Sequence, residues 1–217
     1  MENEIKKEET SIIVAPEVKD TGLSMWNDRG TLNYMFKFAT ELSKSELVPQ
    51  NYQNRPANVM IAWDMGNRMN VSPLWVMQNS CIVRGRFGWY GQACKALIDG
   101  CGKYQPSHYI EIGERGQDTW GYYLEAVEKG TGLCIKGTPV TMEMAKAEGW
   151  LSNPKWRNLT EQMLKYRCAT FFARAECPNV LGGYQTAEEL EDVDMAGYQG
   201  ERNGSLRQLL DNEIKGE

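Results

Sequence analysis

The side chains with most chemistry to offer lie in one stretch, residues 157–176, RNLTEQMLKYRCATFFARAE. Read as a helix at ~100° per residue, it places Leu164, Cys168, Phe171 and Ala175 in a narrow apolar stripe that would face a core. Arg167 and Arg174, seven residues apart, nearly eclipse one another about 80° around from that stripe, with Lys165 on the other flank. Two guanidinium groups ~10 Å apart along a helix flank suit successive phosphates of an extended strand, because each fork of N–H donors matches phosphate oxygens. Repeated phosphate contact is what a sequence-independent strand binder needs. The same arginines also suit a structural part, stems laid on the core and heads in water or paired with Glu161 or Glu176.

A second candidate is Arg84-Gly85-Arg86-Phe87-Gly88-Trp89-Tyr90-Gly91. Arginine among aromatics is the composition of a base-stacking, phosphate-binding surface, and glycine lets backbone approach a ligand closely. A tight turn over Gly85 to Trp89, with Phe87 and Trp89 plugging the core edge, reads from the same residues. The glycine spacing fits neither the dinucleotide fingerprint nor the Walker A loop, and no Walker lysine motif occurs, so ATP-driven strand exchange is not expected. Catalysis finds little support. His108 is the only histidine, which removes most histidine triads, and neither H-E-x-x-H nor a nucleophile elbow is present. Glu188, Glu189 and Asp192 could gather Mg²⁺, but a solvated acidic helix is the plainer reading. Cys81, Cys94, Cys101, Cys134, Cys168 and Cys177 include no C-x-x-C pair; reduced thiols acting as small hydrophobes are expected, and no metal site.

The elements that must position these groups follow from hydrophobic periodicity. Helices are expected over 30–46, capped by Asn27 or Thr31, and over 56–69, opening at Pro56. A short helix at Leu74–Met77, a strand from Ser80 to Val83 and an amphipathic helix over 90–101 follow. Alternation then takes over: Tyr109–Ile112, Thr119–Val127 and Leu133–Lys136 read as an antiparallel meander, with Trp120, Tyr122, Leu124 and Ala126 on one face. A helix capped by Thr141 precedes the long one, and a short acidic helix follows Gly182-Gly183-Tyr184. The expected fold is α+β: a small antiparallel β-meander packed on a long central helix, with an N-terminal helical lobe. Residues 1–29 read as a flexible arm, 30–195 as the core domain and 196–217 as a short acidic tail.

Hydrophobic residues make up 41% of the 217-residue chain, enough for a core, and no apolar run approaches membrane-spanning length. Net charge is −5 but unevenly spread: −2 over 1–83, +4 over 84–174 and −7 over 175–217. A polyanion responds to local field, so the basic middle weighs more than the acidic total.

Taken whole, residues 156–192 read W-x6-ML-x2-R-C-A-x-F-F-A-R-x2-CP-x-VLGGY-x-T-A-EE-x-ED. This resembles the signature region of the RecT and Red-beta single-strand DNA-annealing proteins of phages. Leu47-Val48-Pro49 with Tyr52, Val71-Ser72-Pro73-Leu74, and Gly85 to Trp89 with the helix after it match upstream segments in order, so the resemblance spans roughly 30–195. It implies ATP-independent binding of single-stranded DNA and annealing of complementary strands in homologous recombination, by rings or helical filaments of a homo-oligomer. It implies no enzyme activity and no required cofactor, with Mg²⁺ left open, in the cytoplasm of a bacterial host. Implied partners are single-stranded DNA and the annealed duplex intermediate, a phage exonuclease and host single-strand-binding protein, with no membrane. Carried over by position, Arg167 and Arg174 match residues that meet the DNA backbone, and Lys129 falls near another basic position. Arg84, Arg86 and Trp89 lie in the matching turn; Lys165 and Lys95 join them as expected DNA contacts. The short acidic C-terminal segment departs from longer relatives, which carry a partner-binding domain there.

Overall fold

Three of the early helices begin where the sequence supplies a cap or a proline. In the computed structural model, which describes residues 24–192, α1 (Ser24–Asn27) leads into α2 (Arg29–Leu42). The α2 cap is Asp28, whose carboxylate accepts from the Thr31 N–H at 2.6 Å, in place of the expected Asn27 or Thr31. Helical structure thus begins inside the stretch read as an arm; residues 1–23 of that arm and the acidic tail lie outside the described residues. Pro56 sits in the first turn of α3 (Pro56–Met69), which ends at Asn70 in the left-handed conformation, and Ser72 caps α4 (Pro73–Gln78). Successive helices of these four pack on one another, and α4 packs on the first strand.

Strands β1 (Ser80–Val83) and β2 (Arg86–Trp89) form an antiparallel hairpin, with Cys81 opposite Gly88. The expected tight turn over Gly85 to Trp89 is therefore confined to Arg84 and Gly85, both at positive φ. Strand β2 also pairs in parallel with β7 (Gln185–Thr186), contributed from almost 100 residues later. Gly88 lets the seam close tightly: a Cβ there would lie 2.7 Å from Leu190 Cδ1 and 3.3 Å from the Ala187 nitrogen, so Leu190 would have to shift. Helix α5 (Gly91–Gly100) follows. The second sheet has the order β3 (His108–Ile112), β4 (Gly121–Val127), β5 (Cys134–Lys136), all antiparallel, with β6 (Val140–Thr141) also paired to β4. Trp120, Tyr122, Leu124 and Ala126 are all buried, as the alternation requires. The fold is thus mixed α and β with small, mostly antiparallel sheets.

Helix α6 (Met142–Ala147) is capped by Thr141. The long helix expected over 157–176 is two: α7 (Pro154–Asn158) and α8 (Thr160–Glu176), broken where Leu159 takes φ −131°, ψ 41°. Helix α8 packs on α5 and on β4, so it buries much more than the expected stripe. Met163, Leu164, Arg167, Cys168, Ala169, Thr170, Phe172 and Ala173 are buried, whereas Ala175 is exposed. A last helix, α9, covers 187–192. It opens with a reciprocal capping box: the Glu189 N–H donates to Thr186 Oγ1 at 3.3 Å, and the Thr186 N–H donates to Glu189 Oε2 at 2.8 Å. Trp89, Trp156, Tyr104 and Phe172 are the bulkiest fully buried side chains. Each buried tryptophan removes roughly 200 Å² from water, about 5 kcal/mol as an upper estimate.

Candidate nucleic-acid interface

The turn between β3 and β4 faces the start of α8 across an open groove of about 780 Å³. Its walls include Tyr109, Arg115, Trp120, Leu159, Lys165 and Tyr166, with Glu161 between the two cations. Local structure explains each placement. Gly113 has φ 68°, and a Cβ there would lie 2.2 Å from the Thr119 carbonyl oxygen, so only glycine lets the turn close. The closed turn carries the Arg115 guanidinium over the Trp120 ring, 4.9 Å from its centroid, and its Nη2 to 2.7 Å from Glu161. Trp120 is itself fixed by donating Nε1–H to Glu111 at 2.7 Å.

On the other wall, the break at Leu159 leaves that side chain 51% exposed at the groove. Restarting the helix at Thr160 puts Glu161 in the first turn of α8, where the positive end of the helix favours a carboxylate. One turn later Lys165 Nζ lies 2.6 Å from Glu161 and 4.8 Å from the centroid of the Tyr122 ring. Lys165, and after it Arg115, hold the Glu161 carboxyl below its ordinary range. Burial raises the Tyr109 phenol, so that ring enters the groove wall uncharged. Flat aromatic faces beside two cations can stack bases and neutralise phosphates.

Of the residues expected to contact DNA, Lys165 alone is part of this groove. Lys95 stands beside it, 5.8 Å from the Tyr109 centroid, but is tied to Asp99 and to the Ser107 carbonyl oxygen. Lys129 is exposed in the turn after β4; Arg115 is before β4, so the strand's seven residues separate the two by roughly 20 Å. Arg84 and Arg86 are exposed on the β1–β2 hairpin, part of the other sheet. Trp89 is fully buried and donates Nε1–H to the Leu181 carbonyl oxygen at 3.1 Å. It acts as a core bolt between residues 92 apart in sequence.

Arg167 and Arg174 do share a flank, but that flank faces α9. Arg167 is 5% exposed, ion-paired with Asp192 and 4.3 Å from the Trp150 ring centroid. Burial lowers its pKa, while Glu189 and Glu188 oppose the shift. Arg174 makes a two-pronged pair with Glu189, at 3.1 and 2.6 Å. Lys155 holds Glu191 in the same way, at 2.9 and 3.0 Å. Of the acidic residues considered for Mg²⁺, Glu189 and Asp192 are thus counter-ions to α8. The exception is Glu188, whose Oε1 accepts from the Gly91 N–H at 3.3 Å while burial raises its pKa. Among the described residues no three His, Cys, Asp or Glu side chains are grouped to hold a metal ion, and no helix is long and apolar enough to cross a membrane.

Sequence reading did not single out Arg115, Tyr109 or Tyr166. A signal was available: Arg115 falls between Gly113 and Gly116 in the connection between two expected strands. An arginine there is bound to project from the sheet end that bears Trp120. Comparison of the chain with protein-family models, with curated proteins and with solved structures finds no match.

Proposed function

We propose that this protein binds single-stranded DNA in the groove between the β3–β4 turn and α8, and anneals complementary strands without ATP. The observation that carries the binding half is the meeting of the half-buried Tyr109 and Tyr166 with Arg115 and Lys165 on one open groove, Trp120 being buried beneath Arg115. Each stacked base contributes ~1–3 kcal/mol, largely regardless of sequence, and each phosphate contact adds a salt-dependent increment. The annealing half rests on the resemblance of residues 156–192 to the RecT and Red-beta proteins, whose meander-on-helix core this chain would share. In this reading no bond is broken. Copies line up along a strand, a complementary strand tests register by pairing, and matched steps of ~1.4 kcal/mol each stabilise the product. Exposed Trp26, Phe36, Phe38 and Ile61 on α1, α2 and α3 offer apolar surface for contact between copies.

These exposed apolar side chains also favour a second reading, a protein-interaction module whose basic middle is incidental. The two part on one experiment: annealing of two complementary oligonucleotides, followed by fluorescence quenching with and without protein. Acceleration above the spontaneous rate, without nucleotide, is expected from an annealing protein. An unchanged rate across protein concentration and salt would leave the interaction module as the better reading.

A further inference from the structure

We infer that Glu161 is a built-in competitor for phosphate, so that strand binding in the groove is an exchange of one anion for another. This rests on the strand-binding reading above and adds how the site is regulated. A single carboxylate accepts from both groove cations: Glu161 Oε2 lies 2.7 Å from Arg115 Nη2, and Oε1 lies 2.6 Å from Lys165 Nζ. The cations come from separate elements, the β3–β4 turn and α8, so Glu161 also clips the turn to the helix across the groove. Arg115 has a second acidic neighbour in Glu111 at 3.8 Å, but Glu111 is already engaged by the Trp120 N–H at 2.7 Å. Glu161 is therefore the group a phosphate must displace.

The consequence shows in the salt dependence. A cation that starts free releases condensed counterions when it meets a phosphate, with a slope of about −0.7 per contact for single strands. Glu161 stays beside both cations after the exchange and offsets one of their two positive charges. Two cations with one carboxylate carry a net charge of +1, so the unmodified groove contributes the slope of about one phosphate contact in place of two. Without the charge on Glu161, the second contribution returns.

The test is anisotropy of a labelled oligo-deoxythymidylate titrated with full-length protein across a salt series. Glu161→Gln keeps the side chain's size and removes its charge; Glu161→Ala is the second variant, and urea melts confirm that both fold. The slope of log affinity against log salt is expected to steepen by about 0.7 in either variant, one phosphate equivalent. Affinity at low salt is expected to rise roughly 3- to 10-fold, the range set by two partly exposed ion pairs. Adding Arg115→Gln or Lys165→Gln to Glu161→Gln should each remove the gained slope, because one cation is then left. Equal slopes in the folded variants and the unmodified protein would overturn the exchange while leaving strand binding intact. Absence of binding by every form at low salt would overturn the strand-binding reading itself.

Discussion

Replacing Arg167 with alanine separates a structural part from a ligand-binding one. The Arg167 side chain is 6% exposed and its partner Asp192 16% exposed, so truncation leaves a nearly buried carboxylate without its counter-ion. Breaking a buried pair in this way costs ~3–5 kcal/mol. The cation–π contact with Trp150 is lost in the same step. The Arg167 Nε has no hydrogen-bond partner in the folded chain, which trims the gain from keeping arginine and argues for the middle of that range. Taking about 4 kcal/mol, the midpoint of thermal unfolding should fall by ~8–16 °C for a domain of this size, with a matching loss of stability in urea. Arg174→Ala is the control: its side chain is 38% exposed, and Glu189 retains the Thr186 N–H, so the cost should stay below about 1 kcal/mol. Arg167→Met combined with Asp192→Asn should recover more than half of the loss, because it removes both charges together. Urea unfolding followed by tryptophan fluorescence measures all four proteins. An Arg167→Ala variant as stable as the parent, but deficient in DNA binding, would refute the burial argument and return Arg167 to the strand-contacting set.

Three further outcomes are expected. A Cβ on Gly91 would lie 2.6–2.7 Å from Tyr166 Cβ, Cγ and Cδ2. Gly91→Ala should therefore push α8 away from α5 at a cost of ~1–3 kcal/mol, measured by urea unfolding. Burial raises Glu188 above its ordinary 4.5; the folded state then holds its proton more tightly, and the stability this brings is present at low pH and lost as pH rises through the folded value. Glu188→Gln should accordingly raise the melting temperature near neutral pH, with the difference fading below about pH 4; an equal difference at both pH values would contradict the assignment. Cys101 and Cys134 are exposed, while burial pushes the Cys94 and Cys168 thiols up to about 12. A thiol reagent should label the exposed pair rapidly, and Cys94 and Cys168 only on unfolding.

Much of the element order was legible, because periodicity and caps are local. Pro56, Ser72 and Thr141 mark helix starts that depend on no distant partner, and the alternation through Trp120 and Ala126 marks the buried face of β4. What the chain hid depends on distant contacts. Gly85 to Trp89 reads as a turn from its glycines, yet Arg86 to Trp89 is a strand, paired along its whole length with β1 and at Gly88 and Trp89 with the distant β7. The helical wheel gave the common flank of Arg167 and Arg174, but not what that flank meets. The capping box at Thr186 and Glu189 folds an acidic turn directly against it, which no spacing within α8 reveals. The helix break at Leu159 was equally hidden, since Pro154 to Glu176 carries no internal proline or glycine. That break and the Gly113 turn create the groove; hence Lys165 was legible as a basic flank residue, whereas its neighbours Arg115, Tyr109 and Tyr166 were not.

The groove as a strand-binding site is tested most directly by comparing the protein with an Arg115→Gln, Lys165→Gln, Tyr166→Leu variant for binding a labelled oligo-deoxythymidylate at low salt. Loss of two phosphate partners and one stacking face should weaken binding by at least ~10-fold, while Arg84→Gln with Arg86→Gln, on the other sheet, leaves it within about 2-fold. Retained affinity in the folded groove variant, with binding lost instead on changing Arg84 and Arg86, would contradict the assignment and move the strand to the β1–β2 hairpin.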